Sequence, residues 1–187
     1  MRVALVVPMK SFNIAKGRLS DVLDANERQQ LARDCAQVVL DAAGNWPKYV
    51  VCDADDVANW AKEIGAHIVS CPTPGLDVAV AAGITAAIAD GAQHIVVAHA
   101  DLPLAHTYQH LVLDAQVALV PDRHMDGTNV LSFPADMRFA TAYGPKSFTR
   151  HQEILTTLGH RYVVVNDEEL SLDLDTADDL TELRKRT

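Results

Sequence analysis

The sequence predicts an α/β fold built on a mostly parallel sheet with helices on both faces. Three observations carry that reading. Short apolar runs bounded by turn residues recur along the 187 residues, as buried strands require. Segments with helical patterns separate many of those runs, and strand–helix alternation is the signature of parallel βαβ units. The runs are close to continuously apolar, Val3-Ala4-Leu5-Val6-Val7 and His94-Ile95-Val96-Val97-Ala98 among them, which suits strands covered on both sides.

Taken in order, the first strand lies at 2–7. One positive residue precedes its apolar run, as in a signal peptide, but the run ends after about five residues and no small-residue cleavage site follows. A helix over 26–43 can be capped by Asp24 or Asn26, and Gly44 sits where it should stop. Strands follow at 48–52, 67–70 and 94–98, with helices at 56–64 and 77–90 between them. A helix at 106–115 leads to strands at 117–120 and 129–133, a helix at 147–158 and a strand at 162–165. The last helix, 176–185, opens with Asp178 and Asp179, acid in the first turn as the helix dipole favours. No repeat, low-complexity tract or linker interrupts the pattern. Residues 1–187 therefore read as a single domain, Rossmann-like in its layering, with room for a full core.

Composition narrows the function. Hydrophobic residues make up 49% and charged residues 22%, values of an ordinary soluble domain, and no apolar stretch is long enough to span a bilayer. A net charge of −9 argues against nucleic-acid or anionic-membrane partners. Cys35, Cys52 and Cys71 are odd in number and form no CxxC pair, so neither a disulfide framework nor a cysteine zinc site is indicated. A cytoplasmic setting is expected.

In such sheets ligands bind at the carboxyl ends of strands, near where strand order reverses. The loop after the first strand carries Lys10, Lys16 and Arg18, and the loop after the fourth carries Asp101. Adjacent first and fourth strands would bring them together. Arginine grips phosphate bidentately and lysine acts as a movable point charge. No Walker A or GxGxxG sequence is present, so side chains would do most of the phosphate holding. Leu102-Pro103 stiffens the turn after Asp101. Asp173 and Asp175 share one side of an extended segment and can take a divalent metal with Asp101. The DxDxT spelling at 173–176 resembles a phosphatase nucleophile motif, but that motif opens a domain, and only twelve residues follow Asp175.

Thr128 starts a strand, and Gly144 to Ser147 precede a helix whose free amides could hold an anion. The same residues suit plain turn and capping chemistry. His106 and His110 have i,i+4 spacing and could bind a metal on one helix face, but no HExxH frame supports it. His151 reads as a phosphate partner or a packing residue.

Six motifs in order then resemble one family: Pro-x-Lys…Ala-Lys-x-Arg-Leu at 8–19, Gly-Leu-x-x-Ala at 75–79, Asp-Leu-Pro at 101–103, Gly-Thr-Asn-x-Leu at 127–131, Tyr-Gly-Pro-x-Ser-x-x-x-His at 143–151, and Asp-x-Asp-Thr-x-x-Asp-Leu at 173–180. Together they resemble the phospholactate/phosphoenolpyruvate guanylyltransferases of coenzyme F420 biosynthesis. The resemblance implies a GT-A-type nucleotidyltransferase fold, GTP as donor and Mg2+ as metal. It implies Asp101, Asp173 and Asp175 as metal ligands, and Thr128, Gly144 and Ser147 as contacts to a small phospho-acid. Lys16 and Arg18 fall where the GTP phosphates are expected, so Lys16, Arg18 and Asp101 carry the chemistry, with Lys10 and Asp77 also on the nucleotide side. The family usually has Asn where this chain has Asp77. Aspartate keeps the acceptor and loses the amide donor; it would accept from guanine N1–H and N2–H2 or repel a phosphate, according to which it faces. The expected reaction transfers GMP to 2-phospholactate, phosphoenolpyruvate or 3-phosphoglycerate and releases pyrophosphate. A sugar-phosphate or cofactor nucleotidyltransferase is the nearest alternative, though the usual Gly-rich GGxGxR loop is missing. A non-catalytic nucleotide sensor is the other. Oligomeric state stays open, a homodimer being the commonest soluble assembly.

Overall fold

The computed structural model describes residues 1–186. The elements are β1 (Val3–Pro8), α1 (Ala25–Asp41), β2 (Lys48–Cys52), α2 (Asp55–Glu63), β3 (His67–Ser70), α3 (Leu76–Ala89), β4 (His94–Ala98), β5 (Val117–Pro121), β6 (Thr128–Pro134), α4 (Ser147–Thr157), β7 (Tyr162–Val164) and α5 (Ala177–Arg186). One seven-stranded sheet takes them in the order β3-β2-β1-β4-β6-β5-β7. β6 alone runs against the rest, pairing antiparallel with both β4 and β5.

Alternation along β1 shows how the sheet is covered. Val3, Leu5 and Val7 join a core with α1 and α2, while Ala4 and Val6 join a second core with α3 and α4. α1 buries Ala32, Cys35, Ala36, Val39 and Leu40, the i, i+3, i+4 stripe of a helix with one apolar face. Asp24 starts it with a capping box: its side chain accepts from the Glu27 N–H, and Glu27 reaches back to the Asp24 N–H. On the other face α3 lies very close to the sheet. A Cβ on Gly83 would collide with the side chains of Val6 and Val51, so only glycine allows that approach.

One feature departs from the sequence expectation, and a second, which a mostly parallel sheet allows, is not read from the sequence. Residues 106–115 hold no α-helix, only a short 3-10 turn at Gln109–Leu111. Tertiary contacts take over its backbone and side chains. Tyr108 is buried with its hydroxyl donating to the Val39 carbonyl, and the Leu111 carbonyl accepts from Ser132. The reversal of β6 is the second. Six residues separate β5 from β6, too few for a parallel crossover. No helix among the described residues is long and apolar enough to cross a membrane, and the three cysteines are free.

Candidate active site

β1 has β2 on one side and β4 on the other, so strand order reverses there and a crevice opens beyond the carboxyl ends. The cavity measures about 770 Å³ and is walled by Lys10, Lys16, His99, Asp101, Asp175 and the 73–76 turn. That volume suits a nucleotide-sized ligand.

The loop after β1 is fixed from outside. Asp56, at the start of α2, accepts from the Ser11 hydroxyl and the Phe12 N–H. Phe12 is buried and meets Trp60 edge-to-face, with ring centroids 5.4 Å apart. The chain then turns through Lys16, which sits in the left-handed region at φ 57°, an uncommon place for a non-glycine residue. The turn sends its side chain inward, where it is only 6% exposed. Its Nζ donates to Asp101 Oδ2 at 2.9 Å and lies 3.8 Å from Asp175 Oδ1. Burial works against the ammonium, but Asp101 and Asp175 outweigh it and raise the Lys16 pKa. Burial also opposes the Asp101 carboxylate, and there the Lys16 ammonium and His99 prevail and lower its pKa. Arg18 is largely exposed, with Nη1 3.7 Å from Asp175 Oδ2. Lys10 stands exposed on the rim.

The two C-terminal aspartates owe their direction to the leucines that alternate with and precede them. Leu170, Leu172 and Leu174 are fully buried, so in this extended stretch Asp173 and Asp175 turn to the opposite side. The Leu174 N–H donates to the Asp101 carbonyl at 3.0 Å and clips the segment to the loop after β4. Asp179, read from sequence only as first-turn acid, anchors it from behind. Its Oδ2 accepts from the N–H groups of Asp175 and Thr176 and from the Thr176 hydroxyl, while Oδ1 pairs with Arg123. Burial, reinforced by the charges of Asp101 and Asp175, pushes the Asp173 carboxyl up to about 7. Asp101 Oδ1 is buried and has no hydrogen-bond partner among the described residues. The three aspartates do not converge as a ready-made ligand set among the described residues, since Lys16 Nζ lies between Asp101 and Asp175. Their all-oxygen chemistry and the orphaned Asp101 oxygen are those a hard divalent cation takes.

The remaining candidates lie elsewhere. Asp77 is off the cleft wall. Its Oδ1 accepts from the Thr141 hydroxyl at 2.7 Å and the Tyr143 N–H at 2.9 Å, so it fastens the 141–143 segment. Thr128 and Ser147 meet, with the Thr128 N–H donating to Ser147 Oγ at 3.0 Å, but both are buried. In this conformation they build a wall rather than present hydroxyls to the cleft. Gly144 is exposed at φ 103° and its carbonyl accepts from the Ser147 N–H. His151 takes the packing role. Its Nε2 accepts from the Ala142 N–H, which leaves Nδ1 protonated to donate to Thr128 Oγ1. His99, which sequence reasoning did not single out, connects this wall to the cleft: Tyr143 lies against it with ring centroids 5.5 Å apart. Its only sequence signal is its place two residues before Asp101.

A protein-family model described as "Guanylyl transferase CofC like" matches residues 2–185. The phosphoenolpyruvate guanylyltransferase of Sphaerobacter thermophilus is 31% identical, covering 98% of this chain and 93% of the relative. That of Roseiflexus castenholzii is 33% identical, covering 100% and 90%. The 2-phospho-L-lactate guanylyltransferase of Archaeoglobus profundus is 30% identical, covering 96% and 82%. Among solved structures, a candidate nucleotide-diphospho-sugar transferase from Desulfovibrio desulfuricans superposes with a TM-score of 0.79 at 17% identity, covering 100% of this chain and 88% of that one. At that identity the likeness shows the fold, and it is the nucleotidyltransferase fold that the sequence suggested.

Proposed function

The chain belongs to the CofC-like guanylyl transferase family and is a guanylyltransferase, and on that premise we propose that it joins GMP from GTP to a small phosphorylated three-carbon acid in the cytoplasm, as a step of coenzyme F420 biosynthesis. A phosphate oxygen of the acceptor attacks the α-phosphorus of GTP, the bond from that phosphorus to the β-phosphate bridge oxygen breaks, and pyrophosphate leaves. The nucleophile is already anionic, so no protein base is needed. The residues supply position and charge. Lys16, Arg18 and Lys10 bind the triphosphate and offset charge on the departing pyrophosphate. Asp101, Asp173 and Asp175 would hold Mg2+, which when bound neutralises and orients the reacting phosphates. The acceptor lies between Asp101 and His99, backed by Gly144 and the Thr128–Ser147 wall. Phosphoenolpyruvate and 2-phospho-L-lactate are the first candidates, with 3-phosphoglycerate third.

The observation that carries this reading is Lys16 Nζ placed between Asp101 and Asp175 on the floor of the cleft. The test is pyrophosphate release from GTP with each of the three acids, with Mg2+ and again with EDTA. Release with one acid, lost in EDTA, is expected. GTP binding without release under any condition would instead describe a nucleotide sensor.

A further inference from the structure

Outside the cleft, two histidines and two carboxylates face one another across two loops. His106 Nδ1 lies 2.6 Å from Glu169 Oε2, and His110 Nε2 lies 3.0 Å from Asp167 Oδ2. The two imidazole planes are within 13° of parallel, with centroids 6.3 Å apart. The donor atoms of His106, Asp167 and Glu169 all fall within 4.8 Å of one another. The loop that presents the carboxylates is held in place. Asp167 Oδ1 accepts from the N–H groups of Glu169 and Leu170, which leaves Oδ2 to face His110. The Leu170 carbonyl accepts from Asn129, and the Ser171 N–H donates to the Asp167 carbonyl.

We propose that His106, His110, Asp167 and Glu169 form a second metal site, for a transition-metal dication of the zinc class, separate from the three-aspartate site. The donor chemistry separates the two. Imidazole nitrogen with carboxylate oxygen suits zinc and its neighbours, whereas magnesium selects oxygen alone. A tetrahedral shell with bonds of about 2.0–2.1 Å sets its donors about 3.3 Å apart. His106 and Glu169 need only separate slightly, and no gap among His106, Asp167 and Glu169 has to close by more than about 1.5 Å. His110 lies outside that tight group and joins the shell through its contact with Asp167, the best buried of the four at 12% exposed, so the half-exposed His106 and Glu169 make the adjustment. The ion would join the loop that follows Asp101 to the loop that precedes Asp173. It would thereby brace both limbs of the catalytic carboxylate set without touching substrate.

The test uses the full chain, stripped with a chelator and then titrated with zinc in millimolar Mg2+. About one zinc per chain is expected. The paired variant His106→Gln with Glu169→Gln should weaken zinc binding by at least about tenfold, while Asp173→Asn leaves it in place. Co2+ in place of zinc should give a visible absorption band that the paired variant loses. Both positions in the paired variant are solvent-exposed, and a circular dichroism melt without metal checks that it folds. Failure to retain zinc against Mg2+, equal binding by the paired variant, or loss of zinc in Asp173→Asn would each overturn the proposal. The first two outcomes would reduce the cluster to two ordinary surface ion pairs, and the third would move the ion to the catalytic aspartates.

Discussion

Lys16 Nζ sits 2.9 Å from Asp101 Oδ2 and 3.8 Å from Asp175 Oδ1, so one buried ammonium connects residues 85 and 159 positions away along the chain. It lies inside an acidic cluster where the charges of Asp101 and Asp175 already help drive the Asp173 carboxyl up to about 7, behind the larger effect of burial. In the free enzyme Lys16 partly balances that cluster. On the proposed reaction the same cation would turn to the phosphates of the bound nucleotide.

Lys16→Ala and Asp101→Ala should each lower kcat by roughly 10²–10³, the usual loss for one transition-state charge contact. Circular dichroism should stay native in both. Steady-state pyrophosphate release decides the matter, and near-normal turnover in either variant would remove that residue from the chemistry.

Asp179 acts on the site through Asp175, whose N–H it accepts at 3.1 Å. Asp179→Asn removes the charge from the part-buried pairing with Arg123, 2.6 Å away, and should cost about 1.5–3 kcal/mol of stability, as weakening hydrogen bonds to a charged group does. The half-saturating Mg2+ concentration should rise as well. A lower melting temperature with unchanged Mg2+ dependence would show that Asp179 serves the fold alone.

His151 gives the fold an acid-sensitive joint. Burial, the largest cause, lowers its pKa from 6.5 to about 4. The folded ring stays neutral while the unfolded chain takes up a proton. Its contribution to stability is therefore complete above pH 6.5 and is lost as pH falls toward 4, by up to about 1.4 kcal/mol per pH unit. Urea melts at pH 6.5 and 5.0 should show a smaller drop for His151→Gln than for the parent protein. Equal drops would rule out this residue as the source.

Gly83→Ala should destabilise by about 1–3 kcal/mol, because its Cβ meets Val6 and Val51 in a filled core. Gly17→Ala is the matched control. A Cβ there meets nothing within 4 Å and φ is not positive, so urea melts should place it within about 0.5 kcal/mol of the parent.

The sheet was legible because its strands are short, apolar and punctuated. Strand spans and the neighbouring of β1 and β4 follow from βαβ logic. The direction of β6 was written in the six-residue link before it, a length signal that apolar patterning does not weigh. The segment at 106–115 has helical spacing, but Tyr108 and Leu111 are claimed by the core and the two histidines by carboxylates from another loop. Such long-range claims cannot be seen in local periodicity. At the candidate site, charges at strand ends pointed to Lys16 and Asp101, which do meet, and to Asp175, which lies beside them. Asp77, Thr128 and Ser147 were harder, since the same residue types hold ligands or hold loops. Their partners here, Thr141, Tyr143 and His151, are contacts that no local pattern displays.

The clip from the Leu174 N–H to the Asp101 carbonyl means that the acidic set closes late. During translation β1 through β6 can emerge and pair while Lys16 still lacks its distal partner. All seven strands precede Asp173 in the chain, so a copy cut short before that residue would contain every strand yet lack both the Asp175 carboxylate beside Lys16 and the bond that ties the segment to the Asp101 loop.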